Sequence, residues 1–316
     1  MENNGLDLSG AHVLTEAATG PYMVTPVIAA LAGAEVTAVT TASRYGTVRE
    51  VADATAALAD SVGVADRITV TDHKTAALFE AADIITNSGH LRPITGAYAE
   101  AIRPDCVVSL MFEAWELDWN RLDIDLQRLH QRGIRIAGTN ERHPLVNVFS
   151  YLGPMAVAQL SDAGVPAYGS RIALICDNPF HSYLVEGLAR AGAQVQSGKT
   201  PADLVNFDKP EAIVVSMTPT GSPVIGGDLL RQLALQWPTV VLSQFWGDIS
   251  REECREAGLA YWPIDAPAGG HMGVLPSRLG PDPIVRLQAG GLKVAQVLRL
   301  DPPDRTEADW SWLDDI

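Results

Sequence analysis

Residues 11–46, AHVLTEAATGPYMVTPVIAALAGAEVTAVTTASRYG, carry the pattern on which our prediction of the fold rests. A short apolar strand is followed by a turn with Gly20 and Pro21, then by an alanine-rich helix and a second apolar strand. Gly33 lies between that helix and the second strand, and glycine is common just after a helix ends. A strand, a helix and a second strand in this order predict a βαβ unit.

The same alternation of apolar strands and helical segments continues along the chain. Six strands precede residue 145, and the alternation restarts at Arg171–Cys176, RIALIC. It predicts an α/β fold with two doubly wound, mostly parallel sheets and a cleft between them. We expect an N-terminal domain over 1–145, a C-terminal domain over 146–300, and an acidic tail over 301–316. The tail contains two tryptophans; because exposed tryptophans are unusual, we expect it to pack on its own chain or on a partner.

Composition and charge restrict the partners of the protein. The chain has 316 residues, a net charge of −15, and 47% hydrophobic and 19% charged residues, which is typical of a globular protein. Its acidic charge argues against nucleic acid and anionic membranes as partners, since both attract basic surfaces. We expect a small-molecule substrate instead, and the sequence is compatible with a homo-oligomer.

Several sequence features predict a cytoplasmic protein. No apolar run approaches the roughly 18 residues of a membrane span, and the start MENNGLDLSG lacks the basic and apolar regions of a signal peptide. The cysteines Cys106, Cys176 and Cys254 form no C-x-x-C pair, and we expect the first two to be small buried hydrophobes. Without H-x-H, H-E-x-x-H or paired cysteines, no metal site is predicted.

The loop after the first strand is the first candidate for ligand binding, because ligands of doubly wound sheets lie beyond the carboxyl ends of the strands. A dinucleotide fingerprint has three glycines at this point, whereas this loop has Gly20 alone. Thr19 and Gly20 are our candidates for cofactor binding. An ordinary connection between strand and helix is the alternative.

The end of the second strand indicates which dinucleotide would be bound. Enzymes selective for NAD usually carry an acidic residue there to hold the ribose hydroxyls. This chain carries Ser43 and Arg44 instead, and a hydroxyl with a guanidinium suits the 2′-phosphate of NADP. An exposed surface arginine is the alternative.

The segment Ala82–Gly89, ADIITNSG, resembles the fourth-strand region of Rossmann dehydrogenases and of S-adenosylhomocysteine hydrolase. The resemblance implies two Rossmann-like domains, with Asn87, Ser88 and Gly89 passing the ribose and nicotinamide of the cofactor. His90 follows directly and is a candidate acid/base, because histidine titrates near neutral pH. A hydrogen-bonded structural histidine is the alternative.

The second half of the chain contributes candidates for substrate binding. Asn178 and His181 follow a strand and open a helix, whose N–H groups suit a carboxylate. Thr218 follows another strand, and Arg286 lies near the start of the last helix, where it would bind a substrate carboxylate.

His271 is the second candidate acid/base, because glycines on both sides let the backbone turn tightly around it. The chain is also similar in outline to D-2-hydroxyacid dehydrogenases, with two α/β domains, a late histidine in a loop and a long final helix. That resemblance implies that His271 acts as the general acid/base.

Together these features predict an NAD(P)-dependent oxidoreductase that acts on a small polar metabolite in the cleft and holds NADP with its first domain. Two alternatives stay open. One is a transferase with a nucleotide-linked donor, similar to two-domain glycosyltransferases. The other is a non-catalytic protein that binds a small molecule or serves as a scaffold, and the fold alone does not choose among them.

Overall fold

The structure, a computed structural model, describes residues 5–119 and 123–316. The chain divides into two compact units. Unit 1 comprises Met1–Val148 and Pro281–Ile316, and unit 2 comprises Phe149–Gly280. The strands are β1 (His12–Glu16), β2 (Glu35–Val39), β3 (Ile68–Thr71), β4 (Ile84–Thr86), β5 (Val107–Ser109), β6 (Arg135–Thr139), β7 (Arg171–Cys176), β8 (Gln194–Gly198), β9 (Ala212–Ser216), β10 (Val241–Trp246), β11 (Ala260–Trp262) and β12 (Leu313–Asp314). The helices are α1 (Val24–Leu31), α2 (Val48–Ser61), α3 (Ala76–Ala81), α4 (Ala97–Ala101), α5 (Leu126–Gln131), α6 (Leu152–Asp162), α7 (His181–Arg190), α8 (Gly227–Gln236), α9 (Arg251–Ala257), α10 (Asp282–Arg299) and α11 (Glu307–Trp310).

The sheet of unit 1 has the strand order β3-β2-β1-β4-β5-β6-β12. Its strands are parallel except β12, which runs antiparallel to β6. Strands β2 and β3 lie on one side of β1, and strands β4, β5 and β6 lie on the other side. The strand order therefore reverses between β1 and β4. This is the Rossmann order, and its ligand crevice is expected outside the carboxyl ends of these two strands. The predicted α/β fold is confirmed.

Local sequence explains where the first elements of unit 1 begin and end. Gly33 has a φ of 95°, which few other residues adopt, and this lets the chain reverse from α1 into β2. Helix α2 begins at a capping box, in which the Thr47 side chain accepts the Glu50 N–H and the Glu50 carboxylate accepts the Thr47 N–H. Such caps satisfy N–H groups that the helix itself leaves unpaired. The capping box therefore fixes the end of the loop that leads from β2 into α2.

The last long helix, α10, packs against β5, β6 and α1 of unit 1. A Cβ on Gly290 or Gly291 would overlap Val146 or Met111, so these glycines allow α10 to lie close to the sheet. Thr25 of α1 also donates to the Gln288 side chain at 2.8 Å. The sequence predicts a second domain over 146–300, whereas residues 281–300 group with unit 1 because α10 covers its sheet.

The tail over 301–316 packs on unit 1 through α11 and β12. Trp312 is buried and stacks on His143, with ring centroids 3.7 Å apart. The Ala114 N–H donates to the Asp314 carboxylate at 2.5 Å. The tail is therefore an ordered part of unit 1, held by backbone pairing and by one buried indole ring.

Unit 2 contains a fully parallel sheet with the order β8-β7-β9-β10-β11. The order reverses between β7 and β9, as in the other common doubly wound arrangement. Against one face, buried side chains of α8 and α9 pack on those of β7, β9 and β10. On α6 and α7, Gly153 and Gly187 face each other so closely that a Cβ on either would overlap the other backbone. Unit 2 is thus a second α/β unit with its own hydrophobic core.

The cysteines and the helices add two findings. Cys106, Cys176 and Cys254 are buried and free, and burial raises the pKa of the Cys106 thiol to about 12. The predicted burial of Cys106 and Cys176 is confirmed.

Among the described residues, none of the helices combines the length and apolarity needed to cross a membrane.

Candidate functional site

Three loops meet at the carboxyl edge of the unit 1 sheet, around the end of β1. A Cβ on Gly46, in the loop after β2, would lie 3.4 Å from Cγ2 of Thr19 in the loop after β1. The Glu16 carboxylate, at the end of β1, accepts the N–H of His90 in the turn after β4 at 3.0 Å. The predicted cofactor residues of unit 1 therefore lie in neighbouring loops at the point where the strand order reverses.

The loop after β1 contains the predicted cofactor residues Thr19 and Gly20. A short 3-10 turn over Gly20–Met23 precedes α1, and the Thr19 side chain makes no capping hydrogen bond to it. Gly20 has a φ of 61°, and no atom lies within 4 Å of the position of a Cβ. The backbone of this loop is thus open to a ligand on the Gly20 side, although the loop lacks a glycine-rich fingerprint.

The loop after β2 contains the predicted 2′-phosphate residues Ser43 and Arg44. Arg44 is exposed, donates to the Tyr45 hydroxyl and lies over the Tyr45 ring. Within the described residues it forms no ion pair. Thr40, directly after β2, is 1% exposed, and its hydroxyl has no hydrogen-bond partner. The loop after β2 therefore contains a buried hydroxyl without a hydrogen-bond partner and, four residues further on, an exposed guanidinium without an ion pair.

The turn after β4 contains Asn87, Ser88, Gly89 and His90. The side chain of Asn87 accepts the N–H of Met111 at 2.8 Å. Ser88 bonds at 2.9 Å to the Thr86 hydroxyl, and both side chains are buried. These two side chains stabilise the turn, so the groups that face outward from it belong to Gly89, which is exposed, and to His90, which is half-buried.

Glu16 is a site residue that the sequence analysis missed. Its carboxylate packs against Gly89, where a Cβ would overlap Oε2. Burial raises the pKa of Glu16, and the His90 amide and the charges of His90 and Arg92 offset this only in part. The signal in the sequence was one ionisable residue at the end of the otherwise apolar or hydroxyl-bearing run VLTE. The phenol of Tyr22 lies near this carboxylate, and mainly its own burial raises the pKa of Tyr22 to about 12.

In unit 2, side chains after β7 and β9 bond to each other across the reversal of strand order. The Asp177 carboxylate accepts both the N–H and the hydroxyl of Thr218, at 2.8 and 3.0 Å. Asn178 donates to the Ser216 carbonyl at 2.8 Å and accepts the Phe180 N–H at 3.1 Å. The predicted substrate residues Asn178 and Thr218 thus hold two strand ends together, and their role in binding stays a prediction.

The remaining predicted residues are His181 and His271 of unit 2 and Arg286 of unit 1. His181 is the first residue of α7 and is half-buried. His271 is exposed, in a loop where its N–H donates to the Ala268 carbonyl at 2.9 Å. Arg286 lies on α10 of unit 1, where it pairs with Asp282 at 2.8 Å. Arg286 was expected in the second domain, and it is found in unit 1 because α10 belongs there.

A group of acidic side chains lies beyond β5 and β6. Glu113 is completely buried and accepts hydrogen bonds from Trp115 at 2.8 Å and Arg142 at 2.9 Å. Burial, and then the charges of Glu116, Glu113 and other carboxylates, raise the pKa of Glu141 well above its usual value. Over the described parts of the chain, no three His, Cys, Asp or Glu side chains are arranged to hold a metal ion. Burial also raises the pKa of Glu113, so the ionised forms of both carboxylates are disfavoured in the folded protein.

Comparisons with solved structures support the fold. The chain is similar to a dipicolinate synthase component from Bacillus halodurans, with a TM-score of 0.55 and 13% identity over 94% of this chain and 100% of that one. For a dipicolinate synthase chain from Bacillus subtilis the TM-score is 0.53, with 12% identity over 93% and 97%. A provisionally assigned D-3-phosphoglycerate dehydrogenase oxidoreductase from Ralstonia solanacearum gives 0.50, with 9% identity over 92% and 95%.

These similarities confirm the predicted resemblance in fold to two-domain Rossmann-type dehydrogenases. At such low identities they concern the fold alone. No protein-family model and no curated protein matches the chain by sequence. The function must therefore be argued from the residues of the site.

Proposed function

We propose that this protein is an oxidoreductase that binds NADP(H) at the carboxyl edge of the unit 1 sheet and acts on a small polar substrate. The observation that carries the proposal is the pair of groups after β2, namely the unpartnered hydroxyl of Thr40 and the guanidinium of Arg44 without an ion pair. A hydroxyl and a cation at the end of the second strand suit a phosphorylated ribose. The fold shared with a provisionally assigned D-3-phosphoglycerate dehydrogenase oxidoreductase supports the oxidoreductase part of the proposal.

The residues present fit most parts of an NADP molecule. Ser43 and Arg44 would hold the 2′-phosphate by charge-assisted hydrogen bonds. The loop of Thr19 and Gly20 would face the pyrophosphate, because it leads into the N-terminus of α1, where helix N–H groups favour an anion. Asn87 and Ser88 would fix the turn that presents Gly89 to the nicotinamide ribose.

The chain itself must supply the proton that accompanies hydride transfer. A bound nicotinamide would supply or accept the hydride. His90 is the candidate proton donor in unit 1, because Glu16 fixes its main chain and an imidazole can act as a general acid. His271 is the candidate in unit 2, where Asn178, His181 and Thr218 are the candidate substrate residues. Arg286 remains a candidate for a substrate carboxylate, now within unit 1.

A second candidate function is a non-catalytic small-molecule-binding protein. It is favoured by the carboxylates of Glu16 and Asp177, which already accept main-chain N–H groups of His90 and Thr218 at the two reversal points. A pyrophosphate would bind through main-chain N–H groups of this kind, and here the two carboxylates already occupy them. The transferase alternative has weaker support, since Thr218 is engaged by Asp177 rather than turned to a donor.

A thermal-shift experiment distinguishes these functions. A ligand at free concentration L that binds only the folded state stabilises it by RT ln(1 + L/Kd), so the unfolding midpoint rises with ligand concentration relative to Kd. We expect NADPH at submillimolar concentration to raise the midpoint more than NADH does, and a nucleoside diphosphate sugar to leave it unchanged. A response to the sugar nucleotide alone would favour the transferase, and indifference to all three would favour the non-catalytic protein. Turnover is then followed by the absorbance of NADPH with small polar carbonyl compounds.

A further inference from the structure

Glu16 lies where an anionic ligand of unit 1 would have to approach. It ends β1, next to the reversal of strand order, and its carboxylate accepts the His90 N–H at 3.0 Å while packing against Gly89. The same turn is the one that would face the cofactor. A negative charge at this place opposes a dinucleotide, because like charges in a partly dry site repel strongly.

The surroundings of Glu16 do not neutralise its charge. Tyr22, from the turn after β1, and His90 and Arg92, from the segment after β4, are the titratable or charged groups that face it. Across the described chain, no Lys, Arg or His side chain lies within ion-pairing distance of Glu16. The guanidinium of Arg92 is directed to Asp123, at 3.0 Å. Desolvation therefore disfavours the charged carboxylate, which is the main reason that the pKa of Glu16 is raised.

We propose that Glu16 makes cofactor binding proton-linked, so that the dinucleotide binds the protein when the Glu16 carboxyl carries a proton. This inference rests on the proposed function, since it assumes that NADP(H) is the ligand. A protonated carboxyl still fits the space beside Gly89 and still accepts the His90 N–H through its carbonyl oxygen. It then offers an O–H to the ligand instead of a repelling charge. Glu16 thus sets the pH range in which the site binds the dinucleotide.

Glu16→Gln imitates the protonated form, because the amide is uncharged, of the same shape, and able to accept from His90. We would measure the Kd of NADPH by fluorescence titration between about pH 6 and about pH 9, for the wild type and this variant. The ratio of wild-type to variant Kd is the informative quantity, since titration of the ligand's own phosphate cancels in it. The ratio should approach one below the pKa of Glu16 and grow with pH above it, by up to about tenfold per pH unit.

Two further variants keep the test specific. Glu80→Gln removes an equal charge from an exposed side chain of α3, and its Kd should follow the wild type at every pH. His90→Asn removes the other titratable group of the turn, and the dependence on Glu16 should persist in it. Circular dichroism and the unfolding midpoint confirm that each variant is folded.

Each outcome has a distinct consequence. A ratio that grows with pH for Glu16→Gln alone supports the proposal. A ratio that is constant with pH, or a pH dependence lost in His90→Asn but kept in Glu16→Gln, overturns it while leaving NADPH binding intact. Failure of both the wild type and Glu16→Gln to bind NADPH or NADH at any pH overturns the proposed function and this inference together.

Discussion

The carboxylate of Glu16 packs directly against the Cα of Gly89, with no room for a Cβ between them. Gly89→Ala should therefore displace the carboxylate and lengthen its hydrogen bond to His90. Overpacking of this kind costs about 1–3 kcal/mol, and we expect a lower unfolding midpoint by calorimetry. Gly269→Ala is the matched control, because no atom lies within 4 Å of its Cβ position. Equal unfolding midpoints for Gly89→Ala and Gly269→Ala would show that the contact between Glu16 and Gly89 can relax without loss of stability.

Arg44 should determine the preference between the two dinucleotides. Removing a guanidinium that makes charge-assisted bonds to a phosphate costs about 1.5–3 kcal/mol. Arg44→Ala should thus weaken NADPH by roughly 10- to 100-fold in titration calorimetry, and NADH by much less. Arg49→Ala removes an exposed arginine from the first turn of α2 and should change neither affinity. An equal loss for NADPH and NADH would remove Arg44 from the phosphate site.

The sequence predicts the sheets of this protein better than its site. The runs at β4, β7 and β9 mark their strands because apolar runs between turns are a local signal. The placement of α10 on unit 1 was missed, because it depends on contacts such as Thr25 with Gln288 between residues far apart in sequence. Glu16 was missed for a related reason. Nothing local shows that its carboxylate reaches His90.

Trp312 should hold the C-terminal tail on unit 1. Its indole is buried and stacked on His143, and truncation of a buried tryptophan costs about 3–5 kcal/mol. We expect Trp312→Ala to lower the denaturant midpoint of unit 1 markedly. Trp310→Ala serves as the control, because Trp310 is 40% exposed and should contribute little. If both substitutions are equally mild, the tail is not a stabilising element.

Glu141 should make stability fall as the pH rises. Burial and neighbouring carboxylates raise its pKa in the folded state above the ordinary 4.5, so the folded state holds a proton that the unfolded state has released. The contribution of this proton to the free energy of unfolding is complete below about pH 4.5. It is lost as the pH rises through the folded pKa of Glu141, at up to about 1.4 kcal/mol per pH unit. Glu16 and Glu113 act in the same direction.

We expect Glu141→Gln to be more stable than the wild type at neutral pH, with a shallower decline of the unfolding midpoint with pH. The difference between the two proteins isolates Glu141, because groups such as His143 titrate in both. Glu80→Gln, at an exposed position, should reproduce the wild-type profile. If the unfolding midpoint of Glu141→Gln varies with pH in parallel with that of the wild type, Glu141 is not a source of the pH dependence of stability.

Hydrogen–deuterium exchange of the native protein with and without NADPH tests the central claim most directly, because it reports where on the chain the ligand binds. We expect slower exchange in three segments of unit 1, at residues 16–23, 40–47 and 87–91, and weaker protection of residues 40–47 with NADH. Unchanged exchange throughout, or protection confined to residues 177–181 and 217–222 of unit 2, would contradict it.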